Sequence, residues 1–331
     1  RDLHLSLRRQ RQMCIRDRLY PFSLIVSYIT ARRRRKYLKG ASETHKSEVP
    51  VIVVGNLTIG GTGKTPLVKY IASELLSLGY KPGLVSRGYG GKFKETLLVS
   101  DQTPVKQTGD EAQILATLNL PFYIDKSRVR AVKAITDNHD CDIIISDDGL
   151  QHYKMNRDIE IVVIDGKRRF GNNLTFPAGP LRESKARLNS VDFIVNNSGP
   201  TDEGEYLMNV SPSRFVHLKS GKSYPIEDWP MHKQVHAVAG LGNPGRFFDL
   251  LARLGFDIIR HPFQDHHNFH EQDIHYLDHL PIVMTEKDAS KCKDFDNNKI
   301  WYLTIEADVS DKFINDFIEI YFNINFMILK F

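Results

Sequence analysis

The sequence predicts an α/β chain: a mostly parallel sheet covered by helices, followed by a second, smaller α/β domain. Three observations predict it. Runs of branched apolar residues recur at Val51–Val54, Pro82–Ser86, Pro121–Ile124, Asp142–Asp148, Ile159–Ile164 and Phe193–Val195, with a further strand at Thr96–Ser100. Helical stretches at Pro66–Leu78, Ala112–Leu118 and Ser127–Thr136 separate them, the alternation of a parallel sheet buried on both faces. Near residue 200 the character changes. Residues 198–204 are polar and turn-rich, short alternating segments follow at Tyr206–Val210 and Phe215–Leu218, and a second alternation begins at His236. It runs through a helix at Pro244–Leu254, strands at Asp257–Arg260, Pro281–Thr285 and Trp301–Thr304, and a last helix from Asp311. The expected division is therefore 1–18, 19–40, 41–200 and 201–331, with a β-rich hinge near 198–220.

The chain has 331 residues, enough for two cores. Its net charge of +5 is unevenly spread: residues 1–40 hold 12 Lys/Arg and 2 Asp/Glu, so the rest carries a small negative excess. This argues against nucleic acid as a partner of the body and for an anionic partner of the N-terminus. Cys14, Cys141 and Cys292 fit neither a disulfide framework nor a zinc pattern, which suits a reducing cytoplasm.

Residues 1–18 are Arg-rich without a helical or strand period and are expected to be a non-native or disordered extension. Leu19–Ala31 is apolar, and the basic cluster Arg32–Lys36 follows at once. The apolar part is too short to cross a bilayer, which takes roughly 20 residues. A signal peptide would have the opposite order of charge and apolar run. Residues 19–39 instead suit a helix lying in the membrane interface, its basic end held by anionic headgroups.

Val51–Gly55 leads into a glycine-rich turn and then Gly63-Lys64-Thr65 at a helix start. Strand, loop and helix in that order make a phosphate-binding loop: backbone N–H groups and the helix dipole converge on a phosphate group. Lys64 would reach the β- and γ-phosphates and the Thr65 hydroxyl would ligate Mg²⁺. The strict pattern has glycine where this chain has Thr58, so the loop is a variant. The expected architecture of the first domain is that of the P-loop NTPases.

Asp147-Asp148, ending an apolar strand, is the expected acidic partner of such a loop, one carboxylate holding Mg²⁺ beside the phosphates. Gln151 and His152 follow and could orient a carboxylate. Asp110 and Glu111 open a helix; they serve either as caps or, for Asp110, as the base that draws a proton from an attacking hydroxyl. Residues 265–271 form a polar cluster rich in histidine. His270 and His275 are five apart where a zinc-protease helix needs four, so a catalytic histidine is the better reading. Phe176–Glu183 ends in Arg182 and Glu183, which suit either a phosphate contact with metal support or a simple ion pair.

Taken together, these pieces resemble the tetraacyldisaccharide 4′-kinases, the lipid A 4′-kinases of Gram-negative bacteria. The resemblance lies in Val54–Thr58 with Gly60–Thr65, Ser86–Gly91, Gly109–Glu111, Asp147–His152, Pro177–Glu183, Phe263–His266 and Thr285–Asp288, in that order, over about residues 19–310. It implies ATP-dependent phosphorylation of the 4′-hydroxyl of tetraacyldisaccharide 1-phosphate, a lipid A precursor, to give lipid IVA. It implies ATP and Mg²⁺ as cofactors, with Gly60, Gly61, Thr62, Gly63, Lys64 and Thr65 on the nucleotide. Asp110 would be the base and His266 its partner. Thr65, Asp147, Asp148, Glu111 and Glu183 would support the metal, and Arg87, Tyr89 and Arg182 the substrate. The cytoplasmic face of the bacterial inner membrane, reached through residues 19–39, would be the place of work, with no obligate protein partner. The alternative is a membrane-associated ATPase switch of the partition type, but that class carries a lysine where this chain has Ile59. A guanine-nucleotide switch would need Asn where Thr285–Asp288 has Glu286.

Overall fold

The computed structural model describes residues 2–328, with side chains described from 17 to 322. In chain order the elements are α1 (Asp2–Leu38), β1 (Val51–Gly55), α2 (Lys64–Ser77), β2 (Pro82–Ser86), β3 (Leu97–Leu98), α3 (Val105–Thr108), α4 (Asp110–Ala116), β4 (Phe122–Ile124), α5 (Arg128–Asn138), β5 (Ile143–Asp147), β6 (Ile159–Asp165) and β7 (Phe193–Asn197). There follow β8 (Glu205–His217), β9 (Ser223–Pro225), β10 (Gln234–Ala239), α6 (Pro244–Arg253), β11 (Asp257–Pro262), β12 (Ile282–Thr285), α7 (Glu286–Ala289), β13 (Ile300–Val309) and α8 (Asp311–Ile328).

The alternation of side chains explains why the strands of the first half read as unbroken apolar runs. Ile52, Val54, Ile143 and Ile145 face one cluster, with Leu67, Val68 and Ile71 of α2. Val51, Val53 and Ile144 face the other, with Ala131, Val132 and Ile135 of α5. Both faces are buried, so apolar residues fill most positions, and the polar exceptions Ser146, Asp147 and Glu160 are themselves buried. Each such aliphatic side chain contributes roughly 1.5–3 kcal/mol by leaving water.

The strands form one sheet, in the order β11-β10-β12-β13-β8-β7-β6-β1-β5-β2-β4-β3, with β9 paired to β8. Pairing is parallel except at β3–β4, β8–β9 and β13–β8. The two halves predicted from the sequence are therefore joined by hydrogen-bonded strands. The segments expected as two short strands at Tyr206–Val210 and Phe215–Leu218 are one strand, β8. It runs parallel to β7 through Glu205–Met208 and antiparallel to β13 from Met208 to His217. Pro212 sits opposite Ile305 at an irregularity between Leu303 and Ile305, where a missing N–H is tolerated. Helix α8 also crosses the expected boundary: Phe313, Phe317 and Tyr321 pack into the cluster that contains Ile52 and Leu67 of the first half.

Helix α1 extends from Asp2, so the helical conformation continues through the stretch that shows no period, and it includes Pro21. Its buried side meets the loop before the 3₁₀ turn at Lys185–Ser190. Thr175 Oγ1 donates to Ser23 O at 2.7 Å, Arg34 reaches Ser190 Oγ at 2.5 Å, and Tyr37 stacks on Tyr153. Phe22, Leu24, Ile25, Tyr28 and Ile29 are exposed on the other side. Among the described residues no helix is long and apolar enough to cross a membrane.

Candidate active site

The loop after β1 closes tightly. Gly63 has φ 98°, and a Cβ there would lie 2.5 Å from Asn197 Nδ2. Glycine is thus required twice, by the left-handed backbone and by the side chain against it. Asn197, at the end of β7, donates to Thr62 O at 2.9 Å; Asn56 donates to Gly60 O at 3.2 Å and to Thr62 Oγ1 at 3.3 Å. The Phe176–Glu183 loop braces the other side: Ile59 N–H bonds Pro180 O and Arg182 N–H bonds Leu57 O.

Lys64 Nζ lies 3.5 Å from Asp148 Oδ1, and Arg182 Nη1 contacts both oxygens of that carboxylate at 2.8 and 3.0 Å. Asp148 has φ 48°, so the chain turns sharply between the two aspartates and gives them different surroundings. Burial works to raise the Asp148 carboxyl, but Lys64 and Arg182 together hold it below the ordinary range. Asp147 is fully buried, and burial pushes its carboxyl up to about 7 despite the nearby Lys64. Its Oδ1 has no hydrogen-bond partner. Arg128, behind the pair, donates to the carbonyl oxygens of Asp147 and Asp148.

Asp110 begins α4 beneath the loop containing Gly109, while His266, with φ 59°, comes from the loop after β11 in the second half. His266 Nδ1 lies 3.1 Å from Asp110 Oδ2. The two residues that the resemblance pairs across 156 positions are joined. Tyr89 is 70% exposed with its ring beside that of His266, and Arg87 is exposed in the same turn.

Lys64 and Glu111, the neighbour of Asp110, line a cavity of about 810 Å³ together with Gly61–Gly63, Thr65, Lys69, Asn197 and Lys287; it extends to α6 and the β8–β13 seam. Lys69 spans the halves to Glu286 at 2.6 Å. Lys287 and Lys291 approach Asp110 Oδ2 at 3.8 and 3.4 Å. Sequence reasoning quoted the Thr285–Asp288 segment without giving these lysines a role, and it passed over Asn197 and Lys291.

The two residues that end the Phe176–Glu183 loop turn to different partners. Glu183 is buried away from the loop: Tyr153 donates to its Oε1 at 2.6 Å and Arg187 Nε is 3.8 Å from its Oε2. Arg182 faces Asp148 as an ion pair. Adjacent side chains in an extended loop point to opposite sides, so only one of the two can face the cavity side. Gln151 joins Arg182 and Asn56 O, while the His152 imidazole is pushed down to about 4 by burial and by Arg128, Arg157 and Arg33.

The Mg²⁺ implied by the motif fits the residues present. Asp147 offers a buried carboxylate oxygen without a hydrogen-bond partner, close enough to Lys64 to feel its charge. Among the described residues no three His, Cys, Asp or Glu side chains converge to hold a metal unaided, so phosphate oxygens would complete its shell.

Residues 15–321 match the family model described as tetraacyldisaccharide-1-P 4′-kinase. The chain belongs to that family. A tetraacyldisaccharide 4′-kinase of Ruthia magnifica subsp. Calyptogena magnifica is 46% identical over 298 residues, covering 89% of this chain and 94% of the relative. One from Coxiella burnetii (strain RSA 331 / Henzerling II) is 43% identical over 310 residues, covering 92% and 91%. A crystal structure of LpxK from Aquifex aeolicus, described as an "apo" form in complex with ATP, superposes with a TM-score of 0.81 at 26% identity, covering 94% of this chain and 99% of that one. The tetraacyldisaccharide 4′-kinase family match begins before Leu19 and ends within α8, wider than the span of the quoted motifs.

Proposed function

We infer that this protein transfers the terminal phosphoryl group of ATP to the 4′-hydroxyl of tetraacyldisaccharide 1-phosphate, giving lipid IVA in lipid A biosynthesis. The observation that carries the inference is one cavity lined by the Gly63–Thr65 loop, by Glu111 next to Asp110 and by Lys287, which lies 3.8 Å from Asp110, itself paired with His266. Phosphoryl transfer asks for positioning and charge neutralisation rather than covalent help. Gly60–Thr65 cradle the phosphates, and Lys64 leaves Asp148 for their oxygens. Thr65 and Asp147 would hold Mg²⁺, which would offset the phosphate charge, and Glu111 faces the same cavity as Thr65. Asp110 accepts the sugar hydroxyl's proton late, as the new P–O bond forms, and His266 orients it. Arg87 and Tyr89, exposed beside His266, border the path of the glycolipid.

We also infer that helix α1 docks the protein peripherally on the cytoplasmic face of the inner membrane. Its exposed Phe22, Leu24, Ile25, Tyr28 and Ile29 enter the interface, and Arg32–Lys36 meet anionic headgroups. The substrate then keeps its acyl chains in lipid, since extraction costs about 0.8 kcal/mol per CH₂. The test is incubation with Mg-ATP and tetraacyldisaccharide 1-phosphate in mixed micelles, with mass analysis of the lipid. A second phosphate at the 4′ position is expected; an unmodified lipid refutes the reading.

A further inference from the structure

Helix α7 is a rigid platform set against the cavity from the second half. The carboxylate of Asp288 is fully buried and accepts the Gly240 N–H at 2.9 Å and the Thr285 hydroxyl at 2.7 Å. Lys291 completes this anchor at 3.3 Å, and Glu286 ties the platform to Lys69 at 2.6 Å. Lys287 is held differently. Its ammonium lies 3.8 Å from both Asp110 Oδ2 and Asp265 Oδ1, at ion-pair distance but too far for a hydrogen bond. Its side chain is 18% exposed and lines the cavity that the phosphate loop opens onto. Lys287 is thus a loosely paired cation of the second half, beside the expected base and lining the same cavity as the phosphate loop.

We propose that Lys287 is a further catalytic residue of the phosphoryl transfer, bonding an oxygen of the terminal phosphate as the group moves. The proposal rests on the kinase reading above. A base within hydrogen-bond reach of the hydroxyl puts the attacked phosphorus about one bond length and one contact further on, within roughly 5 Å of Asp110. An ammonium 3.8 Å from the same carboxylate oxygen reaches that volume by side-chain rotation alone. The charges move in concert. The sugar oxygen forms its bond to the terminal phosphorus, the bond from that phosphorus to the ADP oxygen breaks, and the hydroxyl proton passes to Asp110. Protonation removes one of the two charges that held Lys287, leaving that of Asp265, while negative charge gathers on the leaving and equatorial oxygens, so the lysine shifts toward the phosphate without exchanging a proton. Lys291 comes closer to Asp110, at 3.4 Å, but it also pairs with the buried Asp288 at 3.3 Å and does not line the cavity.

The test is steady-state kinetics of the full chain with the lipid acceptor, for parent, Lys287→Ala and Lys287→Arg, with nucleotide affinity by calorimetry and Tm for each. Lys287→Ala is expected to lower kcat about 100-fold, as loss of a transition-state donor does, with KM for ATP changed less than about threefold. Lys287→Arg should recover about tenfold of the loss, since the guanidinium keeps the charge and alters the geometry. A Lys287→Ala kcat within about threefold of the parent overturns the proposal, as does a loss carried by KM for ATP alone or one that arginine leaves unrestored. A parent that phosphorylates no lipid overturns the kinase reading together with this one; an active parent beside an undiminished Lys287→Ala overturns this one alone.

Discussion

Lys64 Nζ rests 3.5 Å from Asp148 Oδ1, on a carboxylate that Arg182 grips from the other side. The lysine is thereby stored at the mouth of the phosphate loop, aligned and only 11% exposed. Lys64→Ala is expected to reduce kcat/KM for ATP by about two to three orders of magnitude, measured with the lipid acceptor at saturation. Parent-like turnover in that variant would remove the loop from the chemistry.

Asp110→Asn keeps the shape of the side chain and loses the proton acceptor. Turnover should fall by about 10²–10⁴-fold while calorimetry still records Mg-ATP binding. His266→Ala should fall less, because it removes the orienting contact and leaves the carboxylate in place. A His266 variant slower than Asp110→Asn would reverse the two roles.

Asp147 makes stability depend on pH. Its folded pKa of about 7 stands above the ordinary 3.8, so the unfolded chain gives up this proton first. The group's contribution is fully present below about pH 4 and is lost as pH rises through 7. Asp147→Asn should therefore unfold at higher denaturant than the parent at pH 8, by an amount on the order of a few kcal/mol, with the difference shrinking toward pH 5. The same arrangement predicts proton release when Mg-ATP binds near pH 6.5, read by calorimetry in buffers of different ionisation enthalpy. Equal denaturation midpoints at pH 5 and pH 8 would count against a raised Asp147.

The outer face of α1 is separable from its packing. Phe22→Ser with Ile25→Ser leaves the Ser23, Arg34 and Tyr37 contacts intact. Flotation with anionic vesicles should weaken by roughly tenfold or more per side chain, and what remains should fall further in high salt. Unchanged flotation would reject this face as the docking surface.

Much of this was legible because the physics is local. A strand buried on both faces is apolar along most of its length, and β1, β5 and β6 are, with their polar residues at Ser146, Asp147, Glu160 and Asp165. A phosphate loop must bend through glycine, and Gly63 bends. The rest depended on distance. Nothing in the text of β8 says that one strand can serve two neighbours, and Pro212 looks like a break until the irregularity opposite it is seen. Lys287 and Lys291 sit on one short turn and its 3₁₀ continuation, too brief for a periodic signal. Glu183 and Arg182 are neighbours in sequence, and only the backbone decides which of them faces Asp148. The Asp110–His266 pair was reached through resemblance, since no spacing of 156 residues carries a rule.

Helix α8 closes the core of the first half with residues that follow everything else in it. During synthesis the strands and helices of the first half leave the ribosome well before Phe313, Phe317 and Tyr321. For most of translation, then, the apolar wall behind α2 waits uncovered, and the first core is completed only after the second half has emerged.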